Sequence, residues 1–226
     1  MIRAVLFDSD GVLVDTEKMY YEATRVAFSA AGVSLTPEIW ANGYLGRSKT
    51  SRKIATRMGI ASNLVDKVLD RRNGVFWADV ALGVQVMPHV RETLAILANH
   101  FRLAVVTGAT RERFKRVHES TGLLNFFETV ITADEAGGET KPSPQPYLAA
   151  LRILGLRPEE CIAVEDSPRG AMAAVAAGIK CCIIPTFLTD LSLCPPECEL
   201  LHSITQLQGI CFSQEMKLTE EVMQPA

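Results

Sequence analysis

Short apolar runs that stop abruptly, alternating with helix-patterned stretches, constrain this chain more than any other feature. The first run is Ile2-Arg-Ala-Val-Leu-Phe7, which ends at Asp8-Ser-Asp-Gly11. The pattern returns at Leu103–Thr107 ahead of Gly108, weakly at Thr129–Thr132, at Cys161–Val164 just before Glu165-Asp166, and at Cys181–Ile184, which Pro185 stops. Runs of this length, bounded by turn signals, read as buried strands. Between them, Val90–His100 carries Val90, Leu94 and Leu97 on one helical face. Pro146–Leu154 and Arg169–Ala177 are patterned alike, the second ending at Gly178, a natural C-cap. Strand–helix alternation of this kind predicts a parallel sheet with helices on both faces.

Residues 16–84 break that rhythm. Lys18–Ala31 places Met19, Ala23, Val26 or Ala27 and Ala30 at helical spacing before Gly32, and Lys49–Met58 and Leu64–Trp77 also read as helices. No strand is predicted there, so the first strand feeds a helical insert and the sheet resumes near Pro88. At about 150 residues per domain, 226 residues suit one large domain carrying a smaller insert. The expected division is 1–15 with 85–226 for the sheet-bearing part and 16–84 for the insert. Within the insert, Arg47, Lys49, Arg52, Lys53, Arg57, Lys67, Arg71 and Arg72 outnumber Asp66 and Asp70. Such a run is either a solvated helix face or a positive field for an anionic substrate. The net charge is only −3, which excludes the strongly basic class that binds nucleic acids.

The six cysteines (Cys161, Cys181, Cys182, Cys194, Cys198 and Cys211) fall mostly in apolar runs and read as core filler in a reducing compartment. Cys194 and Cys198 have ligand-like spacing and His202 is near, but structural zinc needs four ligands. Charged residues interrupt the opening apolar run, against a signal peptide. No apolar run reaches the roughly 18 residues that span a membrane. The expected protein is cytoplasmic, a monomer or weak dimer, without membrane or nucleic-acid partners. The tail from Ser213 to Ala226 is polar and expected to fray.

In parallel α/β sheets, ligands bind beyond the carboxyl ends of the strands. Asp8 and Asp10, Thr107, Lys141, and Glu165 with Asp166 all fall at such ends or in the loops that follow. Alone, an Asp after a strand is as often a turn residue. Several carboxylates gathered at one point repel one another, and a divalent cation relieves that repulsion; an oxygen-rich site suits Mg²⁺. Thr107 adds a hydroxyl, Gly108 permits close backbone approach, and Lys141 adds a compact positive charge. The set suits a phosphoryl group. A carboxylate among them can also serve as the nucleophile.

Four segments carry a resemblance to a known family. Phe7-Asp8-Ser9-Asp10-Gly11-Val12-Leu13-Val14-Asp15, Val105-Val106-Thr107-Gly108, Lys141-Pro142-Ser143-Pro144 and Val164-Glu165-Asp166-Ser167 resemble, in order and spacing, the four signatures of the haloacid dehalogenase superfamily. The resemblance covers roughly residues 1–15 and 86–205 and lies nearest the beta-phosphoglucomutase and phosphoglycolate-phosphatase-like branch. It implies an α/β fold, a Rossmann-like parallel sheet core with an inserted small helical cap domain. It further implies a Mg²⁺-dependent phosphatase acting on a small phosphorylated metabolite. Asp8 would attack phosphorus and form the aspartyl-phosphate. Asp10 would protonate the leaving alkoxide, then deprotonate water, and bind Mg²⁺ through its backbone carbonyl. Thr107 and the Gly108 amide would hold the phosphoryl group, and Lys141 would neutralise Asp8 and the phosphate. Asp8 and Asp166 would ligate Mg²⁺, with Glu165 a direct or water-mediated helper.

Other features compete for attention. Asp15 reads as a cap for the first insert helix. Gly43-Tyr-Leu-Gly-Arg-Ser-Lys-Thr50 resembles a phosphate-binding P-loop, but Ile39–Asn42 is a poor strand to precede one. For Gly46 and Arg47, presentation to substrate from the cap and a solvated loop both stay open. His89, His100, His118 and His202 lie away from the four signatures, and none is expected to be the nucleophile or the general base. Trp40 and Trp77 are expected to pack the insert. The resembling sugar-phosphate mutases carry a cap His and a cap Lys where this chain has Tyr20 and Phe76, which lowers the mutase alternative. A dehalogenase needs neither Asp10 as an acid nor Asp166 for a metal. A phosphoacceptor receiver domain is shorter and has no insert after its first strand.

Overall fold

The computed structural model describes residues 1–47 and 50–212. Six parallel strands form one sheet: β1 (Ala4–Phe7), β2 (Arg102–Val106), β3 (Thr129–Ile131), β4 (Cys161–Glu165), β5 (Lys180–Ile183) and β6 (Glu199–Leu200), in the order β3-β2-β1-β4-β5-β6. The first five are the predicted strands. The sixth has only two residues and no apolar run to announce it. β1 lies at the centre, with Phe7 level with Val105 on one side and Val164 on the other. After β3 the chain crosses to β4 on the far side of β1. The strand order thus reverses beside β1, and this is where α/β sheets form their binding crevice.

The central strands are apolar along most of their length because both faces are covered. Val5, Phe7, Leu103, Val105, Ile162 and Val164 belong to one buried cluster, and Ala4, Leu6, Ala104, Val106, Cys161 and Ala163 to the other. The two-residue period of a strand also sends Cys181 and Cys182 to opposite faces. The six cysteines form no disulfide among the described residues, and Cys161, Cys181, Cys182 and Cys211 are buried, as core filler requires.

Helices α1 (Thr16–Ser29), α2 (Pro37–Trp40), α3 (Ser51–Arg57) and α4 (Ser62–Leu82) leave the sheet after β1. They bury their own apolar cluster around Tyr21, Phe28, Trp40, Leu45, Ile54 and Val65. Ala41–Gly46 coils as a π-helix directly after α2, so the P-loop-like segment follows a helix and not a strand; Ser48 and Lys49 of that segment lie outside the described residues, as does the tail from Ser213. The layers also hold α5 (Val90–Leu97), α6 (Arg111–His118), α7 (Gln145–Leu154) and α8 (Pro168–Ala176). Asp15 stands at the N-cap of α1, yet its side chain makes no capping hydrogen bond. Its amide instead bonds the Gln85 carbonyl at 2.9 Å, beside a bridge between Val14 and Val86.

Candidate active site

The loop after β1 is wound tightly by its own backbone. The amides of Leu13 and Val14 both donate to the Ser9 carbonyl, and the Gly11 amide donates to the Val14 carbonyl at 2.8 Å. Gly11 has φ +83°, a conformation few side chains tolerate, and a methyl group there would overlap the Asp166 carboxylate. Glycine therefore lets the β1 loop and the β4 end close on each other.

Asp8, Glu165 and Lys141 meet beneath that closure. The Lys141 ammonium lies 2.7 Å from Asp8 Oδ1, 2.5 Å from Glu165 Oε1 and 2.7 Å from the Val106 carbonyl. A lysine has three N–H donors, and all three are engaged. Burial works against the charge on Lys141, but Asp8 and Glu165 outweigh it and hold its pKa above the ordinary value. Tyr147 donates to Glu165 Oε1 at 2.6 Å, and Gly170 leaves the space that Glu165 occupies. Burial, joined by Glu165 and Asp10, keeps the Asp8 carboxyl above the usual carboxylate range despite the opposing lysine.

One oxygen each from Asp8, Glu165 and Asp166 falls within 4.8 Å of the others. Glu165 Oε2 and Asp166 Oδ2 are buried without a hydrogen-bond partner. Burial, then the neighbouring acids, drives the Asp166 pKa well upward. Buried unpaired carboxylate oxygens are costly, and a hard divalent cation with oxygen preference would relieve them. The donor set fits Mg²⁺. Asp10 stands beside this group, half-buried, with its Oδ1 accepting from the Thr16 hydroxyl at the start of α1.

Thr107 is fully buried at the end of β2, its hydroxyl accepting from the Ala109 amide at 3.1 Å, and exposed Gly108 follows it. The two aspartates and Lys141, Gly108 and Asp166 line one cavity of about 690 Å³. Arg47 is not among its lining residues. Its backbone N–H donates a hydrogen bond to the Asn42 carbonyl, closing the π-helix, and its side chain stays exposed beside a separate hollow of about 410 Å³. The basic run of the insert divides: Arg52 and Arg72 line the larger cavity, whereas Lys53, Lys67 and Arg71 are exposed.

Three features depart from the sequence expectation or refine it. First, His118 is not remote. It is 2% exposed, and its Nε2 lies 2.8 Å from the hydroxyl of Ser9, between the two aspartates. The Thr121 hydroxyl donates to the His118 carbonyl and faces Nδ1 at 3.2 Å, which makes Nδ1 the donor and Nε2 the acceptor from Ser9. Burial depresses its pKa to about 4, so the ring is neutral at physiological pH. Second, the thiols of Cys198 and Cys181 share a hydrogen bond, and among the described residues the only metal-capable group is the carboxylate cluster. Third, Trp40 packs inside the insert as expected but also donates to buried Glu17 at 2.9 Å, holding that carboxylate at the cavity wall. Trp77 packs against Phe76, with the Arg116 guanidinium 4.1 Å over its ring.

This crevice, with its acids just after β1 and at the end of β4, belongs to a recognised class: residues 5–184 match the model of the haloacid dehalogenase-like hydrolase family. The chain belongs to that family. Among curated proteins it is similar to protein CbbY of Cereibacter sphaeroides, 31% identical over 223 residues, covering 93% of this chain and 96% of that protein. It is also similar to phosphoglycolate phosphatase of Photorhabdus laumondii, 27% identical over 227 residues, covering 97% and 96%. Among solved structures, CbbY of Rhodobacter sphaeroides in complex with phosphate superposes with a TM-score of 0.70 at 28% identity, covering 92% of this chain and 96% of that one.

Proposed function

We propose that this protein hydrolyses the phosphate monoester of a small metabolite through an aspartyl-phosphate on Asp8, with Mg²⁺ as cofactor. The observation that carries the reading is the Asp8 carboxylate at a cavity floor, with one oxygen taken by Lys141 and the other without a protein hydrogen bond among the described residues. That second oxygen attacks phosphorus, and the ester P–O bond breaks. Asp10 gives its proton to the departing alkoxide. In the second half, Asp10 takes a proton from water, which attacks the aspartyl-phosphate and frees Asp8 and inorganic phosphate. Positioned proton transfer typically contributes about 10²–10⁴-fold. Thr107 and the Gly108 amide hold the phosphoryl oxygens, and Lys141 offsets the charge of Asp8. Asp8, the Asp10 carbonyl and Asp166, with Glu165 direct or through water, would hold Mg²⁺, which would supply charge neutralisation.

Residues 16–84 form the cap in this reading, excluding bulk water from the cavity and supplying specificity. Tyr20 and Phe76 meet edge to face at 5.4 Å, an aromatic pair where the resembling mutases have His and Lys, which favours hydrolysis over transfer back to a sugar. Cysteines without a disulfide among the described residues suit the reducing cytoplasm. The test is Asp8→Asn assayed on p-nitrophenyl phosphate with Mg²⁺. Phosphate release is abolished while circular dichroism stays that of the parent; release at the parent rate refutes the nucleophile.

A further inference from the structure

We propose that the buried hydrogen bond from Ser9 to His118 positions the acid–base residue Asp10, which makes Ser9 and His118 positioning residues of the reaction. The proposal rests on the phosphatase reading above and concerns the same site. Ser9 is buried and lies between Asp8 and Asp10, which both line the cavity. Its hydroxyl donates to His118 Nε2 on α6 at 2.8 Å. Its carbonyl receives the Leu13 and Val14 amides at 3.0 and 3.2 Å. One residue thus ties the loop after β1 both to itself and to α6. His118 is in turn held on two sides. Its ring packs on that of Phe114, one turn earlier, with centroids 4.3 Å apart, and its Nδ1 donates to the Thr121 hydroxyl at 3.2 Å.

The two aspartates differ in what fixes them. Lys141 holds Asp8 by its own carboxylate, from the sheet-bearing part. Asp10 Oδ1 accepts from the Thr16 hydroxyl, a partner on the insert. The Asp10 carboxyl alternates between acid and base, so its hydrogen bonds are made and remade while its main chain has to stay still. The sheet-bearing part then places Asp10 through the backbone, and the adjoining Ser9 carries the buried side-chain anchor. A misplacement of about 1 Å at a reacting group can cost about a hundredfold in rate. A polar pair that only holds the fold together makes a different prediction. Replacing both of its partners by apolar groups is close to neutral, whereas removing the acceptor alone leaves a buried hydroxyl unpaired.

The test assays Ser9→Ala, His118→Leu, His118→Gln and the double variant Ser9→Ala/His118→Leu in Mg²⁺ on p-nitrophenyl, phenyl and propyl phosphate, whose leaving groups need a proton increasingly in that order. In Ser9→Ala and His118→Leu, kcat falls about ten- to a hundredfold more for propyl than for p-nitrophenyl phosphate, a share of the proton-transfer contribution, and KM is little changed. His118→Gln, whose side-chain carbonyl accepts from Ser9, restores part of that loss. The double variant regains melting temperature relative to His118→Leu but keeps the selective loss. Equal losses on all three esters overturn the proposal, as does recovery of the propyl phosphate rate together with the melting temperature. Ser9→Ala deletes a single oxygen and carries the comparison alone if His118→Leu does not fold. Amide exchange of Leu13 and Val14, read by NMR, quickens about tenfold or more in Ser9→Ala. Unchanged exchange overturns the anchoring whether or not phosphate is released, whereas a parent protein that releases none from p-nitrophenyl phosphate sinks the phosphatase reading instead.

Discussion

Replacing Lys141 by methionine keeps much of the side-chain volume and deletes the charge. Asp8 and Glu165 then share a buried site with no cation between them, and the Val106 carbonyl loses its donor. Breaking a buried ion pair costs about 3–5 kcal/mol. A second route gives the same size. One carboxyl escapes the repulsion by taking a proton, which costs about 4 kcal/mol at pH 7 and about 1.5 kcal/mol at pH 5 for an acid of ordinary pKa. The expected loss is thus about 4 kcal/mol at pH 7 and less than half of that at pH 5. The sign follows from Asp8, whose pKa burial raises. Its protonated form favours the folded state, so the deficit shrinks as pH falls toward the ordinary carboxylate range and grows as it rises. Urea unfolding followed by circular dichroism, in EDTA from pH 5 to 8, measures both. A loss below about 1 kcal/mol at pH 7, or one independent of pH, refutes the role of Lys141 as the counter-ion of the pair.

Two further outcomes follow from the same site. Asp10→Asn slows alkyl phosphates about 10²–10⁴-fold more than an aryl phosphate, whose leaving group needs no proton; equal losses in kcat/KM remove Asp10 from the acid role. Mg²⁺ raises the melting temperature more at pH 8 than at pH 5. Asp8 and Asp166 are held above the usual range, so in the metal-free protein the stability of their protonated forms is lost as pH rises, and the ion takes the proton's place. A larger shift at pH 5, read by differential scanning fluorimetry, contradicts the cation site.

The core strands were legible because burial on both faces forces runs of Val, Ile, Leu and Ala, and the acids were legible because they interrupt those runs. Helix α6 was not. Arg111–His118 offers Phe114 and Val117 as its only buried apolar residues, and its clearest signal is local: Thr110, whose hydroxyl accepts from the Arg113 amide. With the helix unseen, His118 could not be placed, and its bond to Ser9 spans 109 residues of sequence. Arg47 had two readings in the sequence, and its exposed place just after a π-helical turn, beside the smaller hollow, is compatible with the solvated loop. Arg72 illustrates the opposite case, a member of a basic run that reads as solvated surface until α4 turns it inward over Tyr20.

The paired crossing at Asp15 and Gln85 has a bearing on how this architecture can be altered. Where the chain leaves the sheet and where it returns, the two backbones are hydrogen-bonded neighbours at 2.9 Å, and Met87 bonds Leu13 at 3.0 Å beyond them. The intervening residues therefore close a loop whose ends are already together, and replacing them adds little closure entropy whatever their length. The entrance behaves like a socket. Helical units of different size can be exchanged on the same two wires, leaving Asp8, Lys141 and Asp166 in register underneath.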